Sequence, residues 1–284
     1  GLQRQQAGQP LNRTSPSLAV EHRYSANFFM AASMLLACLV LGGGTRAGFA
    51  GDVVLQLAAI PVLLTASYRI VLDKDHSAAT LPLAFCVACL ALPLLQLVPL
   101  PAFVWTRLPS RDLLRETMSL VGAQGEARTL SISPDATWLS LLSLLPPMAV
   151  FVSAVRLQLN ERRALSLLVI AFAVATALLG LVQVAQGRTS WLRPYTFTNE
   201  NEAVGLFANR NHLAALLYCG VLLVAAWGVH VVRPLEAGRR AALETAWVVP
   251  LAACLVALLV LVAGATMARS RAGLGLTMLA LAAG

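Results

Sequence analysis

The feature that most constrains this chain is where its charges are not. Charged residues fall in short clusters, and apolar stretches run between them, most of them long enough to cross a bilayer. The stretches lie near 26–44, 53–72, 81–100, 137–155, 164–185, 206–232, 245–265 and 273–284. A spanning helix needs about 20 mostly apolar residues. Lipid offers backbone amides no partner outside the segment itself, so such runs must be helical. The expected fold is all-α, a polytopic transmembrane helical bundle with about eight spans. A soluble fold is excluded by the surface it would need. Only 12% of the residues are charged and 58% are hydrophobic, with a mean hydropathy of +0.74, whereas soluble domains carry roughly 25% charge.

Residues 1–25 are polar and Gln-rich and read as a cytoplasmic tail, leaving 26–284 as the transmembrane domain. Small residues at Gly48-Phe49-Ala50 could imitate a signal-peptide cleavage site, but another span follows at once, so an uncleaved first helix is expected. The longest polar stretch, 101–135, reads as an extracytoplasmic loop. It sets Arg107, Arg111, Arg115 and Arg128 against Asp112, Glu116, Glu126 and Asp135. Trp105 and Trp138 stand near its ends like interfacial anchors. Pro146-Pro147 should kink the fourth span. The chain starts at Gly1 and stops at Gly284 inside an apolar run, so both ends read as cut.

The formal net charge of +8 does not point to nucleic acid. All but one of the 21 basic residues are Arg, the exception being Lys74, and they sit singly or in pairs between apolar runs. That is the distribution of loops flanking membrane helices. Cys38, Cys86, Cys89, Cys219 and Cys254 all lie within apolar runs, where a small residue at a helix contact is the expected role. This holds for the Cys86-x-x-Cys89 pair too, rather than metal or redox chemistry. Basic residues divide almost evenly between the two sides. Orientation therefore rests on two compact clusters without matching acids, Arg156/Arg162/Arg163 and Arg233/Arg239/Arg240, which predict a cytoplasmic N-terminus.

Two segments break the membrane pattern. In the first, Asn209, Arg210, Asn211 and His212 open a long apolar run; the second is Arg269-Ser270-Arg271, between the last two runs. On a helix Asn209 and His212 share a face. A charge at membrane depth costs about 2.5–3.5 kcal/mol or more, so such groups usually face a cavity and serve a function. The competing reading for the arginines is snorkelling to the interface or plain loop charge. For His212 it is a hydrogen bond to a neighbouring helix. With the N-terminus inside, both segments fall on the outer side.

Gly-x-Phe-x-Asn-Arg-Asn-His-x-Ala at Gly205–Ala214, followed by Ser-Arg-Ala-Gly at Ser270–Gly273, resembles the O-antigen ligase and O-antigen polymerase superfamily. Gly180–Gln183 and the segment Leu130–Trp138 add to the resemblance, which extends over most of the chain. It implies a bacterial inner-membrane glycosyltransferase of about 12 spans, of which this chain would hold the N-terminal portion. Such an enzyme moves a glycan from undecaprenyl diphosphate to lipid A-core, a growing polysaccharide or a protein hydroxyl on the periplasmic face. No metal or other cofactor is implied. Arg210 and Arg271 would stabilise the diphosphate leaving group, because a planar guanidinium matches phosphate oxygens. Asn209, Asn211, His212 and Arg269 would shape the substrate site. The base that takes the acceptor proton would be a His in a later loop, beyond Gly284, so this chain alone is not expected to turn over. His212 is a secondary candidate for that base. The other readings are a transporter or flippase for a lipid-linked glycan and an inactive fragment. A transporter commonly shows inverted repeats, and none is visible here.

Overall fold

A computed structural model of the chain describes residues 24–44, 50–72, 77–236 and 247–283. Its helices are α1 (Ala26–Leu41), α2 (Ala50–Leu72), α3 (Ser77–Leu97), α4 (Ala102–Trp105), α5 (Asp112–Leu120), α6 (Pro134–Ser143), α7 (Leu145–Ala154), α8 (Leu159–Gln186), α9 (Arg210–Glu236), α10 (Val248–Met267) and α11 (Arg271–Ala283). The sole sheet among the described residues pairs β1 (Pro99–Leu100) with β2 (Arg128–Thr129). Six helical stretches are long and apolar enough to cross a membrane, with α6 and α7 counted together. The helices α1 and α11 are apolar but shorter. Large apolar side chains such as Leu57, Leu64, Leu81, Leu95, Val249 and Leu259 lie open on the outer faces of these helices. In water that surface would be untenable. The chain is a multi-pass membrane protein.

The helices pack in two groups. In one, α8, α9, α10 and α11 meet through small residues, and Ala173, Ala177, Ala214, Leu217, Val221, Leu261 and Ala265 form its core. Small side chains let helices approach closely, which is how membrane helices associate where lipid is as apolar as Leu. Gly220 and Gly264 take part, since a Cβ on Gly264 would stand 2.9 Å from the Cβ of Ala177. In the other group, α1 and α2 pack on α7, and α3 packs on α6. Its core is divided into two smaller clusters, one around Ala66, Cys86 and Met148, the other around Met34, Ala59 and Ala149. Cys86 and Cys89 serve there as packing residues, and all five cysteines are free.

At one end of the bundle Glu161 joins the starts of α1 and α8. Its buried carboxylate accepts from the backbone N–H of Ser25 at 2.6 Å and of Gln158 at 2.9 Å. The second bond belongs to a capping box that begins α8 at Leu159, earlier than the expected 164. Arg162 and Arg163 are therefore helical rather than loop residues. Of the other orientation cluster, Arg239 and Arg240 lie outside the described residues.

The expected fourth span is two helices. α6 starts at Pro134, which suits a first helical turn, and the chain breaks at Leu144 ahead of Pro146-Pro147. The expected loop 101–135 is a small folded cap, which corrects the reading of Trp105. Its indole is fully buried beneath the cap and donates from Nε1 to the carbonyl of Glu126 at 2.9 Å. Arg111 is buried alongside, donating to the carbonyl of Leu130. Trp138 is exposed on α6, where an interfacial anchor would stand.

Candidate functional site

The opposite end of the bundle gathers both segments that break the apolar pattern. Between α8 and α9 the chain runs through 187–209 without helix, and one side chain organises that run. Gln183, fully buried on α8, donates from Nε2 to the carbonyls of Gly205 (2.8 Å) and Leu192 (3.0 Å) and accepts the Gly205 N–H on Oε1 (2.9 Å). Gly205 takes φ +57, and a Cβ there would lie 2.3 Å from Cγ2 of Thr176 and 2.7 Å from its carbonyl oxygen. Glycine is required on both counts. One turn before Gln183, a Cβ on Gly180 would stand 3.0 Å from the Cβ of Ala203. The Gly180–Gln183 element is thus a seat for the returning chain.

Arg193 fastens the middle of the run. Its guanidinium donates to the carbonyls of Asn199 (2.7 Å), Glu200 (2.7 Å) and Glu202 (3.1 Å). Burial draws its pKa below the ordinary arginine value, against the upward pull of the Glu200 and Glu202 carboxylates. The same fastening holds Glu202 in place, and its carboxylate meets Arg210 Nη1 at 2.7 Å.

Each residue of Gly205–Ala214 then has an identifiable environment. Ala208 N–H donates to the carbonyl of Gly43 at 2.8 Å, tying the run to the end of α1. Phe207, Leu213 and Ala214 enter the core of the α8–α11 group. The Asn209 side chain caps α9, accepting from the N–H of Asn211 at 2.8 Å, as Asn commonly does. This cap and the left-handed Gly205 start α9 at Arg210, four residues later than the expected span at 206. Arg210 N–H donates to Asn199 Oδ1 at 2.9 Å, and its side chain remains about one-third exposed (35%) beside Glu202. Asn211 and His212 are exposed.

Ser270–Gly273 repeats this plan. Ser270 is buried; its Oγ accepts the Gly273 N–H at 3.1 Å and its carbonyl accepts the Leu274 N–H at 2.8 Å, so it caps α11. Gly273 lets α11 close on α9, since a Cβ there would lie 2.5 Å from the Cβ of Ala214. Arg269 precedes the cap with φ +50. Arg271 is the first residue of α11. The side chains of Arg269 and Arg271 are exposed and, among the described residues, have no hydrogen-bond or ion-pair partner. Met267 accepts the Ala203 N–H at 3.0 Å on its carbonyl, joining the two segments.

The six residues expected at the site share one end of the bundle but not one surface. Asn209 and His212, an i, i+3 pair, line a cavity of about 950 Å³. The other walls of that cavity come from α1, α2, α6 and α7. Arg210 turns to Glu202, and neither Arg269 nor Arg271 lines the cavity. The cavity holds a residue that sequence reasoning passed over. Asp52 sits in the first turn of α2, one residue ahead of the expected span at 53, and Gln56 lies one turn beyond it on the same wall. Tyr195 lies nearby. Burial raises the pKa of its phenol above the ordinary value, and the charge of Asp52 adds to the rise. A single Asp at the head of an apolar run was the available signal. Glu202 had none, and Gln183 was marked only as part of the Gly180–Gln183 resemblance, because only the folded chain brings them to Arg210 and Gly205. Among the described residues no three His, Cys, Asp or Glu side chains gather as a metal site. No family model, curated protein or solved structure matches the chain.

Proposed function

We propose that this chain is the anion-binding part of an O-antigen ligase-like membrane glycosyltransferase. In this reading it crosses the bacterial inner membrane eight times with its N-terminus inside. The arginine-bearing end then faces the periplasm, where an undecaprenyl-diphosphate-linked glycan and a lipid A-core or polysaccharide acceptor meet. The acceptor oxygen attacks the anomeric carbon, the bond from that carbon to the diphosphate breaks, and the electron pair stays on the diphosphate. The acceptor proton passes to a base.

The observation that carries the reading is the position of the arginines. Arg210 and Arg271 each stand at the first residue of a helix, directly after a capping side chain. The helix macrodipole places positive potential there, so a cation costs about 0.3–1 kcal/mol where an anion would gain that much. Two adjoining helices carry this locally unfavourable choice at the same end. An anionic ligand reverses its sign, because a helix start and its guanidinium then both attract that charge. Developing charge on a leaving diphosphate is a ligand of that kind.

Transfer in detergent tests the reading. The purified full-length protein, given lipid-linked glycan and acceptor with no membrane present, should produce glycosylated acceptor. No product from intact donor, with transport of the same donor in proteoliposomes, would replace it with the flippase reading.

A further inference from the structure

The cavity beside the arginines is chemically unlike them. Among the described residues its walls include one carboxylate, Asp52, and no Arg or Lys. Asp52 and Gln56 are half-buried and have no side-chain hydrogen-bond partner among the described residues, and the ring of His212 is likewise unpartnered. The hydroxyls of Ser140 and Ser143 satisfy their own helix, donating to the carbonyls of Ala136 and Ser140 at 2.9 and 2.7 Å, and still have lone pairs to offer. Deeper along α1 and α7 the lining becomes apolar, through Leu35, Pro146 and Val150.

We propose that this cavity binds an uncharged, hydroxyl-rich headgroup carried on an apolar chain, a glycolipid being the simplest such molecule. Each part of the lining bears on that choice. A phosphate is disfavoured, because the Asp52 carboxylate faces it and, among the described residues, no basic side chain lines the wall to offset the repulsion. A bare cation would want acceptors alone or an aromatic cage, and here amide and imidazole donors share the wall and, among the described residues, no aromatic ring lines it. Sugar hydroxyls donate and accept at once, so they suit a carboxylate, an amide, an imidazole and serine hydroxyls together. The apolar end of the cavity suits the lipid chain. Asn209 joins this wall while capping the helix that starts with Arg210. A neutral acceptor held here would therefore lie next to the anion-binding helix starts. That assignment as the acceptor side rests on the proposed function, whereas the binding claim rests on the cavity alone.

A photoreactive alkyl glucoside with its diazirine in the alkyl chain tests the claim on the full chain in lipid nanodiscs, with labelled residues mapped by mass spectrometry. Label should fall on the α1, α2 and α7 walls and be competed by unlabelled alkyl glucoside but not by alkyl phosphate. Filling the cavity with Ser140→Trp should lower labelling by about tenfold or more. Asp52→Asn should weaken it by about fivefold, the scale of one impaired hydrogen bond. Val249→Ala, on the exposed face of α10, should leave it unchanged. Equal competition by alkyl phosphate, or wall labelling indifferent to both Ser140→Trp and Asp52→Asn, would overturn the proposal. Intact glucoside labelling of the full-length protein, with no glycan transfer by that same protein, would sink the enzymatic reading and leave the site standing.

Discussion

The starts of α9 and α11 are built to one plan and set in different surroundings. Each has a polar cap, an arginine directly after it, and a glycine that permits close approach, Gly205 before the first cap and Gly273 after the second. At α9 the arginine is tied down by Glu202, which Arg193 holds in place, and the preceding run is anchored by Gln183. At α11 the arginine is open and unpaired among the described residues. The difference separates two duties. Arg210 is a fixed charge, already compensated and held in geometry, and Arg271 is a free charge able to move toward an incoming anion.

That contrast can be broken first through the glycines. Gly205→Val should cost about 3–5 kcal/mol, because it adds a clash with Thr176 to a left-handed backbone. Gly273→Val should cost less, about 2–3 kcal/mol, because α11 must shift off the fixed Cβ of Ala214 but its backbone is not left-handed. Thermal unfolding in detergent ranks the two, and the opposite order would mean that α11, not the run before α9, anchors this end.

The next largest effect is on the arginines. Both Arg210→Ala and Arg271→Ala should lower glycan transfer by about 100-fold or more, the scale of losing one oxyanion-stabilising donor. Only Arg210→Ala should also lower stability, by about 1 kcal/mol, because it leaves the partly buried Glu202 carboxylate unpaired. Equal stability of the two variants would erase the distinction between fixed and free charge. Glu202→Gln sharpens it from the other side. Releasing Arg210 should raise affinity for inorganic pyrophosphate by about threefold, read by calorimetry, and no change would show that the pair does not restrain the guanidinium.

The helical fold was legible because lipid allows little else; apolar length and the clustering of charge suffice to reveal it. The two arginine-bearing segments were legible for the same reason, as charge breaks an apolar run conspicuously. What was not legible depends on chain return. Glu202 precedes Arg210 by eight residues, yet pairing with it requires the non-helical run that Gln183 pins from another helix. Trp105 looked like an anchor because its neighbours in sequence are interfacial; its burial depends on Glu126 folding back across it. Asp52 was passed over because a lone carboxylate at a helix start is an ordinary capping choice, and only the facing walls of α6 and α7 make it part of a cavity.

The smallest effect concerns Tyr195, next to that cavity. Its phenol pKa is raised in the folded chain. The native state therefore keeps the proton after the unfolded chain begins to lose it, and stability present below pH about 10 should decline as pH rises through the folded pKa. Tyr195→Phe should flatten this alkaline decline in unfolding experiments. An unchanged slope would assign the decline to other groups.

The pairing of a fixed and a free arginine at one end of the bundle is tested most directly by equilibrium binding of farnesyl diphosphate to the protein in nanodiscs. Binding should be saturable and should weaken by about tenfold or more in Arg210→Ala and in Arg271→Ala, and further in the double variant. Wild-type affinity in both single variants would contradict that pairing.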